Sequence, residues 1–96
     1  MLFSIFAYDV ENSLALRIQA RPAHLARLEV LDQAGRLVIA GPNPNIEGDE
    51  FSGSLIVAEF DSLEEADLWA SEDPYLSAGV YDRVEVKPFK QVFPKT

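Results

Sequence analysis

Apolar positions fall in short strand-like runs at four places along this chain and at helical spacing in two stretches between them. Leu2 to Tyr8 is an apolar and aromatic run closed by the polar Asp9 to Asn12, which predicts a strand. From Ser13 to Ala34 the spacing turns helical, and His24, Leu28 and Leu31 fall at i, i+4 and i+7 on one inward stripe. Pro22 fits badly inside one continuous helix, so two pieces are expected, with Pro22 at the first position of the second. Gly35 is the expected left-handed stop. Arg36 to Gly41 then reads as a buried strand, and Pro42 through Gly53 as a long, turn-rich, acidic loop.

A further strand follows at Leu55 to Phe60. Ser62-Leu63-Glu64-Glu65 forms a capping box, with serine and Glu65 expected to satisfy free backbone donors reciprocally. It opens a second helix with Leu63, Ala66 and Ala70 on its inner face, ending at Pro74. Residues 75–79 make a turn, and Val80 to Phe89 is the last strand, its Val84 and Val86 alternating with Arg83, Glu85 and Lys87.

The order strand, helix, strand, strand, helix, strand predicts an α+β fold. It is the ferredoxin-like βαββαβ arrangement, a four-stranded antiparallel sheet with two main helices on one face. The first three strands are apolar on both sides, however: Phe3, Ile5 and Ala7 oppose Leu2, Phe6 and Tyr8, and Leu55 and Val57 oppose Ile56, Ala58 and Phe60. An uncovered face of that kind is too apolar for a monomer. A homodimer packed sheet to sheet is therefore expected, with a small-molecule pocket between sheet and helices or near the subunit boundary.

Length and composition narrow the classes. Ninety-six residues suit one domain over 1–96. The absence of cysteine removes disulfide and thiolate chemistry and fits a reducing compartment. No apolar run approaches the roughly 20 residues that span a bilayer, so the expectation is a cytoplasmic protein without membrane contact. Sixteen acids against eight bases give a net charge of −8, and Glu59 to Asp73 carries seven carboxylates without a lysine or arginine. That field repels phosphate backbones, which argues against nucleic acid as a partner.

His24 is the only histidine. Imidazole is the side chain whose ordinary charge change falls between about pH 5 and 8. On a buried face His24 is either a satisfied core residue or a working acid–base. Asp73 has a structural use, capping the turn that Pro74 opens. Topology also brings the first helix and the end of the second together on one sheet face. A carboxylate there would fix the imidazole tautomer and make its other nitrogen the better base. Metal binding is the weaker competitor, because one histidine leaves only oxygen ligands and the acids lack a calcium-loop spacing; no metal and no cofactor are expected. The serines lack a nucleophile-elbow context. Tyr8, at the end of the first strand, Arg21, Gly41 at a pocket mouth and Ser54 are the candidate substrate contacts.

These residues together resemble the YciI-like (YCII-related) family. The matching stretches are Arg21-Pro22-Ala23-His24-Leu25, Gly35-Arg36-Leu37 to Ala40-Gly41-Pro42, Ser54 to Phe60, Asp73-Pro74-Tyr75, Ala78-Gly79-Val80 and Val86-Lys87-Pro88-Phe89. The resemblance implies a dimeric α/β barrel similar to muconolactone isomerase, with an active site built from His24 and Asp73. One related enzyme class removes chloride from chlorinated hydroxyhydroquinones. The short acidic Ile46 to Glu50 loop departs from longer Gly-rich versions, so no substrate preference carries over with it. Two functions are therefore carried forward. The first is a cofactor-independent lyase or isomerase, dehydrochlorinase-like, that moves a proton with His24 and Asp73. The second is a non-catalytic dimeric module binding a metabolite or a protein.

Overall fold

The computed structural model describes residues 1–95. Strand β1 (Leu2–Asp9) leads through helix α1 (Leu14–Gln33) to β2 (Leu37–Pro44), and β3 (Phe51–Glu59) leads through α2 (Leu63–Ser71) and the single turn α3 (Pro74–Ser77) to β4 (Tyr81–Phe89). The strands form one antiparallel sheet in the order β2-β3-β1-β4. This is the ferredoxin-like α+β arrangement.

Pairing register assigns each side chain to a face. Phe3, Ile5 and Ala7 of β1 stand opposite Ala58, Ile56 and Ser54 of β3 and opposite Pro88, Val86 and Val84 of β4. This row faces the helices, and Phe3, Ile5, Ile56 and Ala58 join Leu31 of α1 and Ala66 and Ala70 of α2 in the main core. A second cluster, made of Ala7, Tyr75, Val80 and Tyr81, lies under α3. The even-numbered row of β1 faces away from the helices, where Phe6 is 37% and Tyr8 39% exposed.

Helix α1 runs unbroken through Pro22, contrary to the two-piece expectation. Proline removes one i to i−4 bond, and the carbonyl it frees belongs to Ile18. Ile18 and Pro22 both lie on the exposed side of the helix, where that loss is cheapest. Past its end Gly35 takes φ +70°, as the stop required.

Strand β2 also departs from expectation. It is an edge strand rather than a buried one, and Val38 and Ile39 are 46% and 57% exposed. An edge tolerates Pro42 and Pro44, because their missing donors face no neighbour. The strand therefore continues to Pro44, and β3 begins at Phe51 rather than Leu55. The expected long loop shrinks to residues 45–50. Asn45 closes it, its Oδ1 accepting from the backbone N–H groups of Gly48 and Asp49 at 2.8 and 3.1 Å.

At the start of α2, Ser62 Oγ accepts from the Glu65 N–H at 3.1 Å, so the forward half of the capping box is present. Glu65 returns no side-chain bond to Ser62 among the described residues. Leu63 is 41% exposed, and the inner face of α2 is formed by Ala66 and Ala70 instead. Small side chains there let the helix lie close to the sheet.

One glycine matters for the site. A Cβ on Gly53 would sit 2.2 Å from the Ala7 carbonyl oxygen, inside any tolerable contact. Glycine therefore holds β3 and β1 together at the end of the sheet where the functional residues gather.

Candidate active site

A cleft of about 450 Å³ opens between α1 and the ends of β2 and β3. Its polar lining is Arg17, Arg21, His24, Ser54 and Tyr75, and Gly41 forms part of its wall. The remaining lining is largely aliphatic. Asp73 stands behind His24 and does not line the cleft.

His24 and Asp73 meet across 49 positions of sequence. His24 Nδ1 lies 2.8 Å from Asp73 Oδ1 and 3.1 Å from Oδ2, and both side chains are almost fully buried. A carboxylate only accepts, so Nδ1 carries the hydrogen and Nε2 is left as the free nitrogen. Asp73 is itself fixed by the turn it begins. Its backbone is extended, Pro74 follows at the first helical position, and Oδ1 also accepts from the Tyr75 N–H at 2.9 Å. One oxygen thus caps α3 and aims the imidazole. The Tyr75 ring lies flat on the imidazole, with centroids 3.9 Å apart and planes 8° from parallel. The ring is held at its Nδ1 edge and on one face.

Arg17 was not singled out by sequence reasoning. It lies seven residues before His24 and fourteen before Leu31, on the same stripe of α1, and all three are buried. A signal existed in that seven-residue spacing, but an arginine on an inward stripe is usually read as reaching for solvent. Here it reaches Asp9. Nε donates to Asp9 Oδ2 at 2.6 Å and Nη2 to Oδ1 at 2.9 Å, while Nη2 also contacts the Gly53 carbonyl at 2.8 Å and Ser54 Oγ at 2.9 Å. A register shift between Tyr8 and Asp9 helps place that carboxylate. Burial alone would lower the Arg17 pKa, but the Asp9 carboxylate holds it above its ordinary value. The guanidinium carbon also sits 5.1 Å from the ring centres of both Phe51 and Tyr75.

The remaining candidates divide. Arg21, Gly41 and Ser54 line the cleft with His24. Tyr8 does not: strand parity puts it on the opposite sheet face, where its hydroxyl donates to Glu85 at 2.8 Å and Arg83 covers its ring at 4.2 Å. The Glu85 carboxylate raises its phenol pKa. Tyr75 takes the aromatic place in the cleft, and only its position after Asp73-Pro74 marked it in the sequence. Among the described residues no group of three or more His, Asp or Glu side chains is placed to hold a metal ion, and no helix is long and apolar enough to cross a membrane.

Burial also governs Tyr81, whose phenol pKa it pushes well above the ordinary value. Its hydroxyl has no hydrogen-bond partner among the described residues. Since the folded phenol keeps its proton after the unfolded one ionises, the unfolded state binds fewer protons above about pH 10. Stability should therefore fall as pH rises through that point. Thermal melts between pH 8 and 11 check this: Tyr81→Phe should flatten the alkaline decline without lowering the melting temperature at pH 8, since it removes an unpaired buried hydroxyl.

The chain is thus a ferredoxin-like domain with a buried His–Asp pair at the wall of one cleft. The chain belongs to the YCII-related domain family, whose model matches residues 1–90. It is 52% identical to Protein YciI of Escherichia coli, over 97% of this chain and 100% of that one. It is 37% identical to derivative of benzaldehyde biosynthesis cluster protein C of Emericella nidulans, over 84% of this chain and 86% of that one. Among solved structures it is similar to 5-chloro-2-hydroxyhydroquinone dehydrochlorinase (TftG) of Burkholderia phenoliruptrix, in complex with 2,5-dihydroxybenzoquinone. That match has a TM-score of 0.82 and 31% identity, covering 94% of each chain.

Proposed function

We propose that this protein is a cofactor-independent enzyme of the lyase or isomerase type that moves a proton on a small cyclic substrate. The observation that carries the reading is His24 in the cleft wall with Asp73 bonded behind it. His24 Nε2 takes a proton from the substrate and returns it as general acid, and Asp73 holds the tautomer and supports the imidazolium. Similarity to TftG favours hydroxylated, chlorinated aromatic rings as the first substrates to test. In a loss of hydrogen chloride, His24 accepts the proton of one ring hydroxyl and returns it to the chlorine-bearing carbon, giving the keto tautomer. His24 then accepts the proton of a second ring hydroxyl, the freed pair moves through the ring to form the new double bond, and chloride leaves with the carbon–chlorine bonding pair. The ring reaches the quinone level and no outside oxidant is required. The reading includes a homodimer, because the sheet face bearing Phe6 and Tyr8 has no helix over it.

The test is chloride release from 5-chloro-2-hydroxyhydroquinone, together with proton exchange on unchlorinated lactones and phenols. Turnover by the wild type that falls in Asp73→Asn supports the mechanism. Full activity in both Asp73→Asn and His24→Gln overturns it. So does tight binding without turnover across the panel, which is the behaviour of a non-catalytic module.

A further inference from the structure

The charge of the cleft runs against that of the protein. The chain carries −8, yet no aspartate or glutamate lines the cleft, and two of its eight Lys and Arg side chains do. These charges are unequally compensated. Arg17 is matched by Asp9 at 2.6 Å. Arg21 has no ion-pair partner among the described residues. The cleft therefore holds one cation without an ion-pair partner beside an Arg17 already matched by Asp9, and the Asp73 carboxylate stands behind His24, outside the lining.

Donors converge on the same place. Arg17 spends Nε and Nη2 on Asp9, Gly53 and Ser54, which leaves Nη1 without a protein hydrogen bond among the described residues. Tyr75 is 2% exposed and lines the cleft. Burial pushes its phenol pKa up against the opposing pull of the Arg17 and Arg21 charges. The Arg17 guanidinium carbon lies 5.1 Å from the Tyr75 ring centre and Arg21 lines the same cleft, where the protonated hydroxyl can donate. Apart from Ser54, the rest of the lining is mainly apolar and includes Leu25, Leu28 and Ile56.

We propose that the cleft selects an organic anion: a flat apolar body packed on Leu25, Leu28 and Ile56, with one ionised oxygen held by Arg21, Arg17 Nη1 and the Tyr75 hydroxyl. Carboxylates, acidic phenols and enolates share that chemistry. Their neutral amides and ethers lack the charge. The inference deepens the functional reading and rests on it only in placing the reacting atom beside His24.

Two matched pairs of probes test it in NMR titrations of the whole protein: 2-naphthoate against 2-naphthamide, and 2,5-dihydroxybenzoquinone against 2,5-dimethoxybenzoquinone. The acids should shift the Arg21, His24 and Tyr75 resonances and bind about tenfold or more tighter than their neutral partners, as one charge-assisted bond allows. Arg21→Gln, an exposed substitution, should remove most of that preference, and Tyr75→Phe part of it. Equal binding of acid and neutral partner overturns the proposal, as does an unchanged preference in Arg21→Gln or no shift at these residues with any probe. The outcomes separate from those of the catalytic test. Acid preference retained while His24→Gln keeps full turnover refutes the base and leaves anion selection standing.

Discussion

His24→Gln is expected to lower turnover of a true substrate by about 10²–10⁴-fold, the usual worth of a positioned acid–base group. Glutamine approximates the length of histidine, and its amide can still donate to Asp73. It cannot take a proton. The loss should therefore fall on kcat, with the melting temperature near that of the wild type. Asp73→Asn is the informative partner. The asparagine oxygen can still accept from the Tyr75 N–H and keep the cap on α3, but the amide no longer enforces the imidazole tautomer. Because the two groups work as a unit, the double variant should be little slower than His24→Gln alone. Additive losses would mean that Asp73 acts on substrate by some other route. Asp73→Ala removes cap and carboxylate together and should add about 1 kcal/mol of instability.

Arg17→Met is expected to cost about 3–5 kcal/mol of folding stability, because it strips the partner from a buried carboxylate. The Asp9 side chain is only 1% exposed, and two of its bonds come from Arg17. Ser13 Oγ, at 2.6 Å from Oδ2, would be its main remaining donor. Methionine fills much of the volume, so the penalty isolates the charge. Urea unfolding measures it. Arg17→Met with Asp9→Leu should recover a large part of the loss, since removing both charges of a buried pair is often near neutral. Recovery of stability without recovery of ligand binding would separate the structural duty of Arg17 from its duty in the cleft.

The fold was legible because its signals are local. Periodicity, the serine cap and the glycine stop each act within a few residues. Tyr8 shows where that legibility ends. When both rows of β1 are apolar, alternation says that two faces exist but not which one meets the helices, and Tyr8 fell on the other side from the cleft. Pro22 and Pro42 mark a second limit. Their cost depends on whether the missing bond lies toward solvent or toward a neighbour, which is a tertiary fact. His24 and Asp73 could be paired from topology because two helix ends share one sheet face. Arg17 could not be, since its role depends on a carboxylate delivered by a shift in strand register.

Asp73, Pro74 and Tyr75 are consecutive, yet they provide a hydrogen-bond acceptor, a rigid corner and a flat platform to the same imidazole. The support behind the imidazole is thus built from a tripeptide. Sequence drift in this segment faces a double filter, since any change that spoils the local corner also misdirects the ring. Local folding and the aim of the imidazole thus hang on the same three residues.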